Sequence, residues 1–175
     1  MENGGPLETV VERHLRRVLA PVDVVSSSTV KPRIALDTNL LIAALTNLAG
    51  ASARIVQAWR DGEIDLVASE ATIREAELVL GAGWLGRMTS REAVEALLQD
   101  IRERAVLVGP ETEVVDLPLK DPGDLRMLEA ALAGNAAYVV TSDREFLSHR
   151  GYREVEFITP QEFWRRCDPT PGPST

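Results

Sequence analysis

The chain has 175 residues, 45% of them hydrophobic and 26% charged, with a formal net charge of −8. That length makes one ordinary domain and is short for two, and the lone cysteine, Cys167, excludes an internal disulfide and suits a reducing compartment. The surplus of acid argues against a plain polyanion binder, because neutralising phosphates calls for Lys and Arg, unless the acids are gathered to hold cations that reverse the local charge.

Residues 1–30 read as an N-terminal extension, in which Glu8–Ala20 could form a short amphipathic helix and Ser26–Ser28 a linker. The start, MENGGPLETVVERHLRRVLA, lacks the basic, apolar, small-residue order of a signal peptide, and no apolar run has the length of a membrane helix. The expectation is a cytoplasmic protein with no membrane partner. Residues 31–167 form the domain proper. Arg33–Leu36 is a short apolar strand, followed by helices over Leu40–Leu48 and Ser52–Arg60 and a second strand over Ile64–Ala68. Ser69 can cap a helix to Leu80, ended by Gly81 and Gly83, and Thr89 or Ser90 caps another to Arg104. Ala105–Val108 is a third strand, Asp124–Ala133 a helix stopped by Gly134 and Asn135, and Ala137–Val140 a fourth strand. Val155–Ile158 is a fifth strand, and Pro160 opens a last helix through Trp164. The tail 168–175, DPTPGPST, is too rich in Pro and Ser to pack and is expected to be disordered. Strands alternating with helices predict an α/β fold, a mostly parallel sheet of about five strands covered on both faces, with ligands bound beyond the carboxyl ends of the strands.

Four acids fall at that edge. Asp37 follows the strand RIAL, Asp143 follows AAYVV, Asp124 lies at a helix start in KDPGDLRMLEAAL, and Glu75 lies in the helix after EIDLVA. Carboxylates collected in one pocket repel one another and take up protons unless a divalent cation joins them. Oxygen ligands suit Mg²⁺ or Mn²⁺, and His14 and His149, the only histidines, have no zinc-site spacing. An acid-held metal pair can activate water and stabilise the leaving oxygen in phosphodiester hydrolysis. Each acid also has a plainer role. Asp124 and Asp143 fit helix N-caps, and Thr38 or Asn39 could cap the helix after Asp37. Periodicity does not choose Glu75, since Glu77 lies nearer the apolar face marked by Ile73, Ala76 and Leu80.

The segments LDTNLLIAAL, LVASEATIREAELVL, KDPGDLRMLEAALAGNAAYVVTSDREFL and FITPQEF, in this order and spacing over residues 32–164, resemble the PIN domain, and within it the VapC-like toxins of bacterial toxin–antitoxin pairs. The resemblance implies a three-layer α/β/α sandwich and an Mg²⁺- or Mn²⁺-dependent endoribonuclease leaving 5′-phosphate and 3′-hydroxyl ends. It puts the catalytic, metal-holding acids at Asp37, Glu75, Asp124 and Asp143, choosing Glu75 over Glu77. Thr38, Asn39, Asp121, Thr141 and Ser142 fall at positions that orient substrate or water, with Asp121 a secondary or loop-organising acid. The chain departs from the pattern at Leu125, where relatives often carry a polar residue, and in TSD, where they often have TGD; neither change removes a carboxylate. An RNA substrate, an antitoxin covering the cleft with an inserted basic residue, and a homodimer are the partners implied.

Other acid-pocket enzymes fit less well. A haloacid-dehalogenase-like phosphatase needs a second Asp where Asn39 stands, and a receiver domain needs an adjacent acid pair and a strand-end Lys, while the chain has only Lys31 and Lys120. The stronger alternative is a PIN fold that has lost catalysis and serves as an RNA-binding or scaffolding module. Arg87–Arg91 and Arg144–Arg150 could guide an RNA backbone, though solvated surface is the default for such charge. Trp59 and Trp164 fall on apolar helix faces, which leaves Trp84 as the one tryptophan to consider for base stacking.

Overall fold

Strands buried on both faces divide their side chains between two cores instead of between core and solvent. The computed structural model of the chain, which describes residues 31–109 and 116–167, follows that rule. Ile34, Leu66, Ala68, Tyr138, Val140 and Ile158 enter one core, and Ala35, Val67, Val139 and Phe157 the other. The strands are β1 (Arg33–Leu36), β2 (Asp65–Ser69), β3 (Val106–Val108), β4 (Tyr138–Val140), β5 (Gly151–Tyr152) and β6 (Val155–Ile158), ordered β3-β2-β1-β4-β6-β5. Every neighbouring pair is parallel except β5 and β6. The sheet thus has six strands where the sequence predicts about five. The addition, β5, is two residues long and too short to carry a period.

The helices are α1 (Thr38–Thr46), α2 (Ala51–Arg60), α3 (Glu70–Leu80), α4 (Arg91–Arg104), α5 (Pro122–Ala133), α6 (Arg144–Ser148) and α7 (Pro160–Cys167). The first core receives α1 to α4 and α7 through residues such as Leu41, Trp59, Ile73, Leu97 and Phe163. The second receives α5 and α6 through Leu128, Ala131 and Phe146. The result is a three-layer α/β/α sandwich. The close seat of α5 on the sheet needs Gly134, because a Cβ there would lie 2.4 Å from Val67 Cγ1.

Two helices begin two residues earlier than expected, and for one reason. Asp37 and Asp121 are themselves N-caps, so α1 starts at Thr38 instead of Leu40 and α5 at Pro122 instead of Asp124. Ser69 and Ser90 cap α3 and α4 as predicted, the former in a reciprocal capping box with Thr72. The short helix α6, which follows Asp143, has no counterpart among the predicted elements, and α7 runs on to Cys167. Trp59 is in the core, and Trp164 donates to the Ala51 carbonyl while Arg54 stacks on its ring. Trp84 is 45% exposed, but it follows α3, whose eleven residues carry the chain about 16 Å along the helix from Ser69. It therefore follows the end of α3 remote from Ser69. Among the described residues no single helix is long and apolar enough to cross a membrane. The predicted helix Glu8–Ala20, the linker Ser26–Ser28 and the tail 168–175 lie outside the described residues.

Candidate active site

In a doubly wound sheet the crevice opens where the strand order reverses, and here that point lies between β1 and β4. Each of these strands delivers an aspartate near its carboxyl end. Asp37 is buried, its N–H donating to the Val140 carbonyl at 3.1 Å. Its Oδ1 accepts from the Asn39 N–H at 2.9 Å and its Oδ2 from the Thr141 hydroxyl at 2.6 Å. The same Thr141 oxygen, fully buried, accepts the Asp143 N–H at 3.0 Å. One hydroxyl thereby clasps the aspartates of two neighbouring strands. Asp143 is exposed and caps α6, its Oδ1 accepting from the N–H groups of Glu145 and Phe146 at 2.7 and 3.0 Å.

The plainer cap roles sort themselves out. Asp37, not Thr38 or Asn39, caps α1, and Asp143 caps α6. Asp124 caps nothing. Asp121 performs that task by accepting the Gly123 N–H at 2.7 Å, which leaves Asp124 at the third helical position. Asp37, Thr38, Glu75, Gly123, Asp124 and Met127 line a common cleft. Asp121 and Asp143 stand outside its lining, and the side chains of Asn39 and Ser142 belong to exposed residues. Glu77 is ion-paired with Arg102 on α4, whereas Glu75 turns towards α5. A Cβ on Gly123 would come within 2.6 Å of both Glu75 carboxylate oxygens. Glycine at this place is what lets a glutamate from α3 lie against the first turn of α5. The Asp-Pro-Gly turn signals a helix start in the sequence, but nothing there links Gly123 to Glu75.

The electrostatics show that the acids act on one another. Burial pushes the Asp124 carboxyl up to about 6, with further contributions from the negative charges of Asp121, Asp37, Asp143 and Glu75. Burial also raises Glu75, helped by Asp121 and Asp37 and opposed by the Arg126 guanidinium. Asp121 is the foremost charge neighbour of both. Among the described residues no donor hydrogen-bonds either the Asp124 or the Glu75 carboxylate.

The donor set suits a hard divalent ion, being carboxylate and hydroxyl oxygen throughout. Raised, unbonded carboxyls are also what a cation would relieve. Their spacing is open, however: among the described residues no three Asp, Glu, His or Cys side chains are drawn together as a ready-made metal cluster. Of the four expected acids, Asp37, Glu75 and Asp124 line the cleft as mutually repelling neighbours, and Asp143 stands outside its lining. Like charges without a counter-charge between them keep apart.

A family model for the PIN domain matches residues 33–145. No curated protein sequence matches the chain. The family match spans well over half of the 175 residues and takes in Asp37, Glu75, Asp124 and Asp143 together with strands β1 to β4, so the chain belongs to the PIN-domain family, whose general function is that of a nuclease.

Proposed function

We propose that this chain is a divalent-metal-dependent endoribonuclease and the toxin of a toxin–antitoxin pair. One observation carries the chemical part: Asp37 from β1, Glu75 from α3 and Asp124 from α5 line a single cleft, and Asp124 is pushed up to about 6 by burial and by its acidic neighbours. Asp37, Glu75, Asp124 and Asp143 would hold Mg²⁺ or Mn²⁺. When bound, such an ion supplies an acidified water and positive charge for the scissile phosphate. The residues of the chain do the rest. Thr141 fixes Asp37 by donating to Oδ2, leaving each carboxylate oxygen with a free lone pair. Gly123 admits the Glu75 carboxylate. The Asp121 cap sets the start of α5, and so the position of Asp124. Thr38, which lines the cleft, would orient water or a phosphate oxygen.

The deciding experiment compares wild type with Asp37→Asn on labelled RNA in Mn²⁺ and in chelator. Cleavage should require the ion and fall about 100-fold or more in the variant, as expected on losing a buried ligand of the reactive ion. Wild type that cuts no RNA under any divalent ion, or a variant that cuts equally well, removes the nuclease reading at these residues. The open spacing of the carboxylates favours one second reading, a PIN fold that binds RNA or a protein without cutting, and the same comparison separates the two. The toxin assignment rests on the resemblance to VapC-like proteins and has its own test. A small antitoxin, encoded beside this chain and offering a basic residue to the acidic cleft, should abolish cleavage when co-purified. The implied homodimer is checked by light scattering.

A further inference from the structure

We propose that Arg126 is a phosphate-binding residue of this site, gripping the RNA backbone phosphate next to the bond that is cut; the inference rests on the nuclease reading above. Arg126 is exposed on α5, three residues after Gly123. Residues three apart share a helix face, and the face at Gly123 looks onto Glu75. Side chains on a helix lean back towards its N-terminus. From position 126 the guanidinium is thus carried towards the end of α5 that bears Asp121, Gly123 and Asp124. It lies close enough to Glu75 for its charge to act on that carboxyl, yet among the described residues it forms no ion pair or hydrogen bond.

Among the described residues Arg87, Arg144, Arg150 and Arg165 share that state, but Arg126 is the one whose charge acts on a carboxyl of the cleft. Arg60, Arg74, Arg91, Arg102, Arg104 and Arg166 all have a carboxylate in direct contact. Lys120, a cation just before α5, is 3.1 Å from Glu145 and so is engaged. Of the positions three and four residues either side of Arg126, Pro122, Gly123 and Ala130 carry no charge and Glu129 is the one acid, with which no ion pair of Arg126 is seen. A guanidinium left unpaired beside a cluster of carboxylates is held for an anion that arrives from outside. The anion that must arrive at a nuclease site is a phosphodiester, and the planar fork of arginine matches two phosphate oxygens at once. Chemistry strengthens the case. An ion in the cleft answers one phosphate, but the chain has a net charge of −8, and the next phosphate would otherwise meet Glu75 and Asp121 with no cation of its own.

The test uses the full chain, wild type against Arg126→Ala and Arg126→Lys. A short fluorescein-labelled single-stranded RNA serves as probe, with Ca²⁺ replacing Mn²⁺ for binding and Mn²⁺ present for turnover. Mn²⁺ binding is titrated separately without RNA. Arg126→Ala should weaken RNA binding about 10-fold and flatten the slope of log K against log salt by about 0.7, the loss of one contact to a single strand. KM should rise while kcat stays within about threefold and Mn²⁺ affinity is unchanged, the pattern of lost ground-state binding. Arg126→Lys should restore the salt slope and only part of the affinity, because a point charge replaces a fork. An unaltered salt slope in Arg126→Ala overturns the proposal. So does a loss confined to Mn²⁺ affinity, which would mean that Arg126 serves only to steady Glu75. Wild type that binds neither Mn²⁺ nor RNA would instead bring down the nuclease reading, and this inference with it.

Discussion

Gly123 shows how one missing atom sets the geometry of a site. Its absent Cβ is the space into which the Glu75 carboxylate fits, 2.6 Å from where that carbon would stand. The obstacle is the far end of a flexible side chain, so an added methyl can be accommodated by swinging Glu75 away. Alanine is also the better helix former, by up to about 1 kcal/mol in a helix interior. Gly123→Ala should therefore keep or slightly raise the melting temperature while lowering metal-dependent cleavage about 10-fold, through the displaced carboxylate alone. A calorimetric scan beside a cleavage assay checks this. A fully active variant would show that Glu75 does not need this passage, and one that unfolds would show that the carboxylate cannot swing aside. Glu77, two residues on, gives the internal control: tied to Arg102 on the outer side of α3, it can be changed to Gln with little effect on cleavage.

At the scale of elements, the centre of the site is a join between β1 and β4, and Thr141 is its fastening. Its hydroxyl donates to Asp37 and accepts from the Asp143 N–H in a fully buried position. Thr141→Val keeps the shape and removes both bonds. The stranded Asp37 oxygen and Asp143 N–H should cost about 1–3 kcal/mol of stability. Cleavage should fall as well, because Asp37 loses the group that orients it; Thr141→Ser, which retains the hydroxyl, should recover most of the activity. Denaturant melts of the two variants check the first claim, and a Val variant as stable as wild type would refute it. The same elements explain what the sequence made legible. The strands ending at Asp37 and Asp143 stand out because buried parallel strands are continuous apolar runs, and their ends are sharp. Helix starts are blurred wherever an acid can be either ligand or cap. Asp37 and Asp121 turn out to be caps, so α1 and α5 begin two residues before their predicted starts, and only Asp124 is released from capping. The helix α6 and strand β5 are too short for any periodicity to reveal them. The choice of Glu75 over Glu77 came from family resemblance; the physical reason for it, a passage between two helices, exists only in three dimensions.

Over the whole molecule the acids at one rim tie stability to pH and to metal. Burial raises the Asp124 carboxyl to about 6, with its charged neighbours adding to the effect, and Glu75 is raised as well. In an unfolded chain such groups titrate near 4. Between about pH 4 and 6 the folded chain then binds protons that the unfolded chain has released, and stability varies with pH as the unfolded minus the folded proton count. That difference is negative, so this contribution falls as pH rises through the window and is restored as pH drops. Chelator-treated protein should accordingly gain melting temperature from pH 7.5 to 5.5, relative to Asp124→Asn, in which that proton uptake cannot occur. Comparing the two chains cancels the titrations they share. At pH 7.5 without metal, Asp124→Asn should be the more stable of the pair although it is inactive, because it lacks one of the repelling charges. Saturating Mn²⁺ should reverse the order, since binding to the folded chain alone stabilises it by about 2.7 kcal/mol at a hundred times the dissociation constant. As pH falls towards 5 the ion competes with protons for the same oxygens, and that gain should shrink. Melting curves at two pH values, with and without Mn²⁺, contain the whole argument. If the wild type without metal is the more stable chain at pH 7.5, or if Mn²⁺ lifts both chains equally, the carboxylates of this rim do not share a charge problem, and a cation is not its solution.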